Sequence, residues 1–173
     1  MTLWIGLLRA INVGGTGKLP MAELRALCAD LGFRDVQTYI ASGNLLFRTE
    51  GSEAQVQTAL ESRLQHVMGK PADVFLRSPN QMQAILAANP FPDAPGNRVM
   101  VSFLHDDPPA DLDATVRHRT DEDIVPGDKV IYTHYPGGMG RSKLLIPAAT
   151  QGTARNLNTV AKLVEMAAQA SRS

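Results

Sequence analysis

Residues Leu3–Ala10 are apolar on both alternating faces, with Leu3, Ile5 and Leu7 on one side and Trp4 and Leu8 on the other. Such a pattern predicts a strand at the centre of a sheet that is covered on both faces. Pro20 suits the first turn of a helix, and Met21, Leu24, Leu27, Cys28 and Leu31 keep the helical period up to Gly32. Asp35–Ala41 and Asn44–Thr49 read as two strands joined by a tight turn at Ser42-Gly43. Ser52 with Gln55 forms a capping box that opens a helix with the stripe Val56, Leu60, Leu64, Val67 and Met68, and Gly69 closes it. Ala72–Arg77 is the next strand. The order βαββαβ is that of the ferredoxin-like split unit.

Ser78 with Gln81 is a second capping box, ahead of Met82, Ile85 and Leu86. Asn89–Asn97 carries three prolines and a glycine and reads as the connection between two halves. Arg98–His105 is predicted as a strand and Pro108–His118 as a weak helix, with Asp107 as its N-cap. Val125-Pro126-Gly127-Asp128 fits a type II turn joining Glu122–Val125 to Lys129–Tyr135. A last helix is expected from about Thr153, with Leu157, Val160, Ala161, Val164, Ala167 and Ala168 on its apolar face. The expected fold class is therefore α+β. A ferredoxin-like N-terminal subdomain (1–88) packs in one globule with a similar but incomplete α+β subdomain (89–173), without sequence similarity between the two.

Composition adds little to the fold and removes several functions. A chain of 173 residues buries about 70% of its unfolded surface and needs no disulfide or metal to fold. The formal net charge is zero, which argues against sequence-independent nucleic-acid binding. That zero sums two patches. Asp106, Asp107, Asp111, Asp113, Asp121, Glu122 and Asp123 face only Arg117 and Arg119 in one stretch, whereas Arg141, Lys143, Arg155, Lys162 and Arg172 face Glu165 alone in another. The one cysteine, Cys28, lies on the apolar face of its helix, so a core role is expected rather than a catalytic thiol. No apolar run approaches a membrane span and no signal peptide is read, so a cytoplasmic protein without membrane partners is expected.

Topology proposes one site. In a βαββαβ unit the carboxyl end of the first strand, the start of the first helix and the turn between strands two and three share a rim. Here that rim holds Arg9, Asn12, Gly14, Gly15 and Lys18 together with Ser42 and Asn44. Leu19 stands where a side-chain cap would normally precede the helix, so free N–H groups and the helix dipole favour an anion there. The glycines allow close backbone approach. Gly14–Lys18 is not a P-loop, because Asn12 and Leu19 stand where that pattern needs Gly and Ser or Thr. Against this, glycines in such loops serve turn geometry, Glu23 can cap the helix, Arg9 can close an internal ion pair, and Ser42–Asn44 can be a simple bend. The two readings stand level.

A second polar cluster joins Arg141, Ser142 and Lys143 to Arg155, Asn156 and Thr159, with Thr153 or Asn156 as the helix N-cap. An anion suits it, but an acid from 105–123 serves equally as an internal partner, and that reading is preferred. The four histidines show no metal-ligand spacing, and His105-Asp106-Asp107 reads as solvated acids rather than a magnesium site. No nucleophile–base pair is legible, so neither a reaction nor a cofactor is assigned.

Leu8-Arg9-Ala10-Ile11-Asn12-Val13-Gly14-Gly15, Pro20-Met21-Ala22-Glu23-Leu24 and Tyr39-Ile40-Ala41-Ser42-Gly43-Asn44, taken in order, resemble the bacterial family known as domain of unknown function 1697. Gly140–Leu144, Thr153–Asn156 and Asn158–Val160 match its C-terminal motifs, so the resemblance spans essentially the whole chain. It implies an α+β fold of ferredoxin-like character and no particular activity. Leu157 replaces a frequent tryptophan, and the short 143–153 segment contains Pro147 where other members carry a helix.

Three functions follow from these readings. The first is binding of a small anionic or phosphorylated ligand at the rim, with Arg141, Lys143, Arg155 and Asn156 contributing. The second is a non-catalytic interaction module that forms a homodimer through apolar residues such as Met139 and Leu144–Pro147. RNA binding ranks last, because Trp4 and Phe47 are the only aromatics in the first and third strands and both sit in apolar surroundings.

Overall fold

The computed structural model describes residues 1–9, 19–40 and 43–172. These form a mixed α+β fold with two four-stranded antiparallel sheets and five α-helices. The chain divides into two units, Met1–Gln81 with Glu165–Ser173, and Met82–Val164.

In the first unit, β1 (Thr2–Leu8), α1 (Met21–Asp30), β2 (Arg34–Tyr39), β3 (Asn44–Thr49), α2 (Glu53–Met68) and β4 (Val74–Arg77) follow in order. The sheet order is β2-β3-β1-β4. β1 lies between two partners and is buried from Leu3 to Leu8, as its two-sided apolar pattern requires. Trp4, Leu8, Leu24, Leu27, Cys28, Leu60 and Leu64 belong to one core cluster, in which sheet and helix side chains meet. Phe33 stacks on Phe47 with ring centroids 4.3 Å apart and planes within 5°. The Ser52–Gln55 box is complete in both directions, and Gly69 ends α2 in the left-handed conformation. Cys28 is fully buried, and burial raises its thiol to about 12, so it stays protonated and unreactive.

The second sheet is built from β5 (Val99–Phe103), β6 (Asp123–Gly127), β7 (Val130–His134) and β8 (Thr153–Asn156), in the order β6-β7-β5-β8. Two expectations are corrected by it. The last helix, α5 (Leu157–Ser171), does not start at Thr153; the four residues before it are a strand paired with β5. The second sheet is consequently complete. On α5 the fully buried stripe runs through Val160, Leu163 and Ala167, whereas Ala161 and Ala168 are exposed.

The expected helix over Pro108–His118 shrinks to α4 (Leu112–Thr115), with Asp111 at the N-cap position but making no side-chain capping bond. Asp107 is not an N-cap; its Oδ1 accepts the Lys129 N–H at 3.1 Å. The hairpin bend also lies further along than the Pro-Gly signature indicated. Pro126 and Gly127 are paired within the ladder, and Asp128-Lys129 make the bend with Lys129 at φ +56°. Pro126 is tolerated because β6 is an edge strand.

The two sheets repeat one another in register. Leu8 donates to the Gly43 carbonyl at 2.9 Å, and Leu104 donates to the Lys129 carbonyl at 2.9 Å, each one residue past a paired position, Leu7–Asn44 and Phe103–Val130. Carried to the fourth strands, this alignment sets Ile5 opposite Arg77 and Val101 opposite Arg155. Both arginines are 6% exposed, and each donates from Nη1 to the preceding carbonyl, at 2.9 Å and 3.0 Å. A capping residue follows each of them. Ser78 Oγ accepts from Gln81 N at the start of α3 (Pro79–Ala87), and Asn156 Oδ1 accepts from Thr159 N at the start of α5.

Candidate functional site

The carboxyl end of β1 and the β2–β3 bend meet at one end of the first sheet, as connectivity requires. Leu8 N–H reaches the Gly43 carbonyl, and Arg9 N–H reaches the Asp73 carbonyl at 3.0 Å. β2 runs parallel to β1, since each is antiparallel to β3, so α1 between them returns with its first turn at this same end. The helix starts at Pro20, whose extended backbone (φ −63°, ψ 146°) makes no side-chain cap. The capping position is thus Pro20 and not Leu19, which precedes it, is 2% exposed and belongs to the core.

Each described rim residue has a structural duty. The Arg9 guanidinium pairs with Asp73 at 3.6 Å, both partly exposed. Asn44 is 1% exposed and ties the bend by donating from Nδ2 to the Tyr39 carbonyl at 3.0 Å. Gly43 sits at φ +77°, and a Cβ there would lie 2.9 Å from Leu8 Cβ. Only glycine meets both demands. Asn12, Gly14, Gly15, Lys18 and Ser42 lie outside the described residues.

The second cluster lies in the other unit. Arg155 is a strand residue, not a helix-terminal one. Its Nη1 donates to Thr153 Oγ1 at 2.6 Å, and burial lowers its pKa to about 10, which leaves it charged at neutral pH. Asn156 is the N-cap of α5, bound to Thr159 N–H at 2.9 Å. Arg141 and Lys143 are exposed and form no ion pair among the described residues.

Between them, Ser142 donates to Glu122 Oε2, so an acid from the 105–123 stretch does hold this segment, through the serine rather than the cations. Glu122 is 2% exposed, and its Oε1 accepts from Thr120 N–H at 2.7 Å. The Ser142 hydroxyl and the Thr120 amide hold its carboxyl at about 2, below the ordinary 4.5. Tyr135 is raised by burial and by the Glu122 charge. Sequence reasoning counted Glu122 as one acid among seven, because nothing local separates a latch from a solvated carboxylate.

A carboxyl with a depressed folded-state pKa stabilises the protein fully above pH 4.5, and that contribution is lost as the pH falls toward about 2. Wild-type stability is therefore expected to fall more steeply than that of Glu122→Gln across this window, measured by denaturant titration at stepped pH. Equal slopes would remove the latch.

Fold and site together define an α+β protein whose first sheet ends in a polar rim. The chain belongs to the family described as protein of unknown function (DUF1697), whose profile matches residues 1–132. It is similar to a solved conserved bacterial protein from Streptococcus pneumoniae, with 26% identity and a TM-score of 0.75 over 96% of this chain and 98% of that one. Comparison with curated proteins gives no match. Among the described residues, no helix is long and apolar enough to cross a membrane.

Proposed function

We propose that this protein binds a small anionic or phosphorylated ligand at the end of the first unit where β1 meets the β2–β3 bend, with the glycine-rich sequence 10–18 between β1 and α1 supplying part of the site. The observation that carries this reading comes from the equivalent place in the second unit. There the bend residue Lys129, counterpart of Gly43, receives the Asp107 carboxylate on its backbone N–H. That bond holds a carboxylate at a hairpin bend of the second sheet, and in the first half the sequence after β1 carries Lys18 and three glycines, with no aspartate between β1 and α1. The α1 start without a side-chain cap adds the partial positive charge of a helix terminus. The same reading makes each unit a ferredoxin-like variant, supported by the β2-β3-β1-β4 order and its repetition.

One helix terminus and one or two charged hydrogen bonds amount to about 5 kcal/mol, a dissociation constant on the order of 0.1–1 mM. Inorganic phosphate or a nucleotide at roughly ten times its dissociation constant should stabilise the wild type by about 1.4 kcal/mol. Lys18→Ala should lose that gain without losing basal stability. Arg9→Ala should lose it too, at a basal cost below about 1 kcal/mol, because its ion pair is partly solvated. Thermal melts that move equally in all three proteins, or in none, reject the reading.

Self-association is the second reading, favoured by Met139 and Leu145, which are 42% and 41% exposed in the second unit. RNA binding by base stacking ranks below it, since Trp4 is 9% exposed and Phe47 fully buried.

A further inference from the structure

The proline-rich stretch after α3 is a built wall rather than a slack connection. Asn89 Oδ1 accepts the Phe91 N–H at 3.0 Å, and Ala94 N–H reaches the Phe91 carbonyl at 3.1 Å. Arg98 N–H closes on the Pro95 carbonyl at 2.9 Å, and Pro90, Pro92 and Pro95 restrict the backbone between these bonds. The strand period explains what this wall meets. Val130, Tyr132 and His134 share one face of β7, and the Tyr132 hydroxyl donates to the Ile85 carbonyl of α3 at 2.6 Å. α3 ends at Ala87, so His134 is met instead by Phe91, with ring centroids 5.3 Å apart at a tilt of 36°.

The result is an open groove of about 430 Å³, a size suited to a small organic molecule, within the second unit. Phe91, Pro92, Pro95 and His134 give it an apolar and aromatic lining, and Asp93 and Arg98 line it as well. The Arg98 guanidinium is anchored by a bond from Nη1 to the Pro136 carbonyl, and its other N–H groups have no protein partner among the described residues. Asp93 likewise forms no ion pair among the described residues, with Arg98 or with any other cation. Two opposite charges that border one apolar groove without neutralising each other are complementary to a molecule that carries both charges and a ring.

We propose that this groove binds a zwitterionic amino acid with an aromatic side chain. Arg98 takes the α-carboxylate, for which a guanidinium with spare N–H groups is the suited donor. Asp93 takes the α-ammonium, and the ring packs against Phe91 and the prolines. This site is separate from the anion site of the first unit, so either stands if the other falls.

The test is an NMR amide-shift titration of the full chain with L-phenylalanine, phenylacetate and phenethylamine, the last two each lacking one charge. L-Phenylalanine should shift the Phe91, Ala94, Arg98 and His134 amides saturably, and each single-charge probe should bind at least about tenfold more weakly. Arg98→Ala should reduce phenylalanine affinity to that of the amine, and Asp93→Asn to that of the acid. Both residues are exposed, so folding is preserved, which unchanged amide shifts elsewhere will verify. Absence of saturable shifts, phenylacetate or phenethylamine binding as tightly as phenylalanine, or unchanged affinity in either variant overturns the proposal.

Discussion

Replacing Phe47 by alanine is expected to cost the first unit about 3–5 kcal/mol, a large share of the stability of an ordinary domain. Phe47 is fully buried in the central strand β3, pairs with Trp4 across the β1–β3 ladder and stacks on Phe33. Its removal deletes the ring, leaves a cavity that a sheet strand cannot collapse to fill, and strands the Phe33 face. The readout is built in. Trp4 is the chain's single tryptophan, it is 9% exposed, and its buried indole N–H has no hydrogen-bond partner among the described residues. Its emission should be blue in the native protein and shift red on unfolding. In denaturant the Phe47→Ala midpoint should fall with little change in slope. A loss below about 1 kcal/mol would mean that the β1–β3 core is looser than described.

Gly152→Ala should be nearly as damaging in the second unit, for the opposite reason. A Cβ on Gly152 would lie 2.4 Å from the Phe103 carbonyl oxygen and 2.9 Å from Leu104 Cδ2. The closest obstacle is backbone, so no rotamer change relieves it, and the β5–β8 ladder that starts at Phe103–Thr153 must part. Overpacking of this kind costs about 1–3 kcal/mol and sometimes more. Gly96→Ala is the matched control. Its Cβ would meet Asn158 Oδ1 at 2.0 Å, the far end of a side chain that can turn away. Faster amide exchange at Val101, Phe103 and Arg155 is expected in Gly152→Ala and not in Gly96→Ala. Equal protection in both variants would show that the 152 backbone yields freely.

The elements that were legible in the sequence are those whose signal is local. β1 announced its burial because both its faces are apolar, β3 ran from Asn44 to Thr49 as read, and both capping boxes closed as their serine and glutamine spacing required. Cys28 lies in the core for the same periodic reason. β8 was not legible, since Thr153–Asn156 alternates over only four residues and reads equally well as the opening of the helix that follows. The Asp128-Lys129 bend was missed because a Pro-Gly pair signals a turn wherever it stands, whereas an edge strand tolerates it inside the ladder. On α5, Leu163 is buried and Ala161 is not, because the neighbouring elements, not the helix itself, decide which side of a broad apolar stripe faces in.

The candidate rim divides in the same way. Connectivity alone placed the end of β1 beside the first hairpin bend, and the Leu8–Gly43 bond lies there. The duties of Arg9 on Asp73 and Asn44 on Tyr39, the burial of Arg155 and the Glu122–Ser142 latch were beyond sequence reasoning. By itself the sequence determined the period of the first-half elements, the two Ser–Gln capping boxes and the βαββαβ order of the first half, because those depend on neighbours a few positions away. The tertiary structure alone decided which polar groups meet, that the second sheet acquires a fourth strand, and that a proline-rich connection borders an open groove. Such outcomes depend on residues distant along the chain being brought within a few ångströms, and no local pattern encodes that distance.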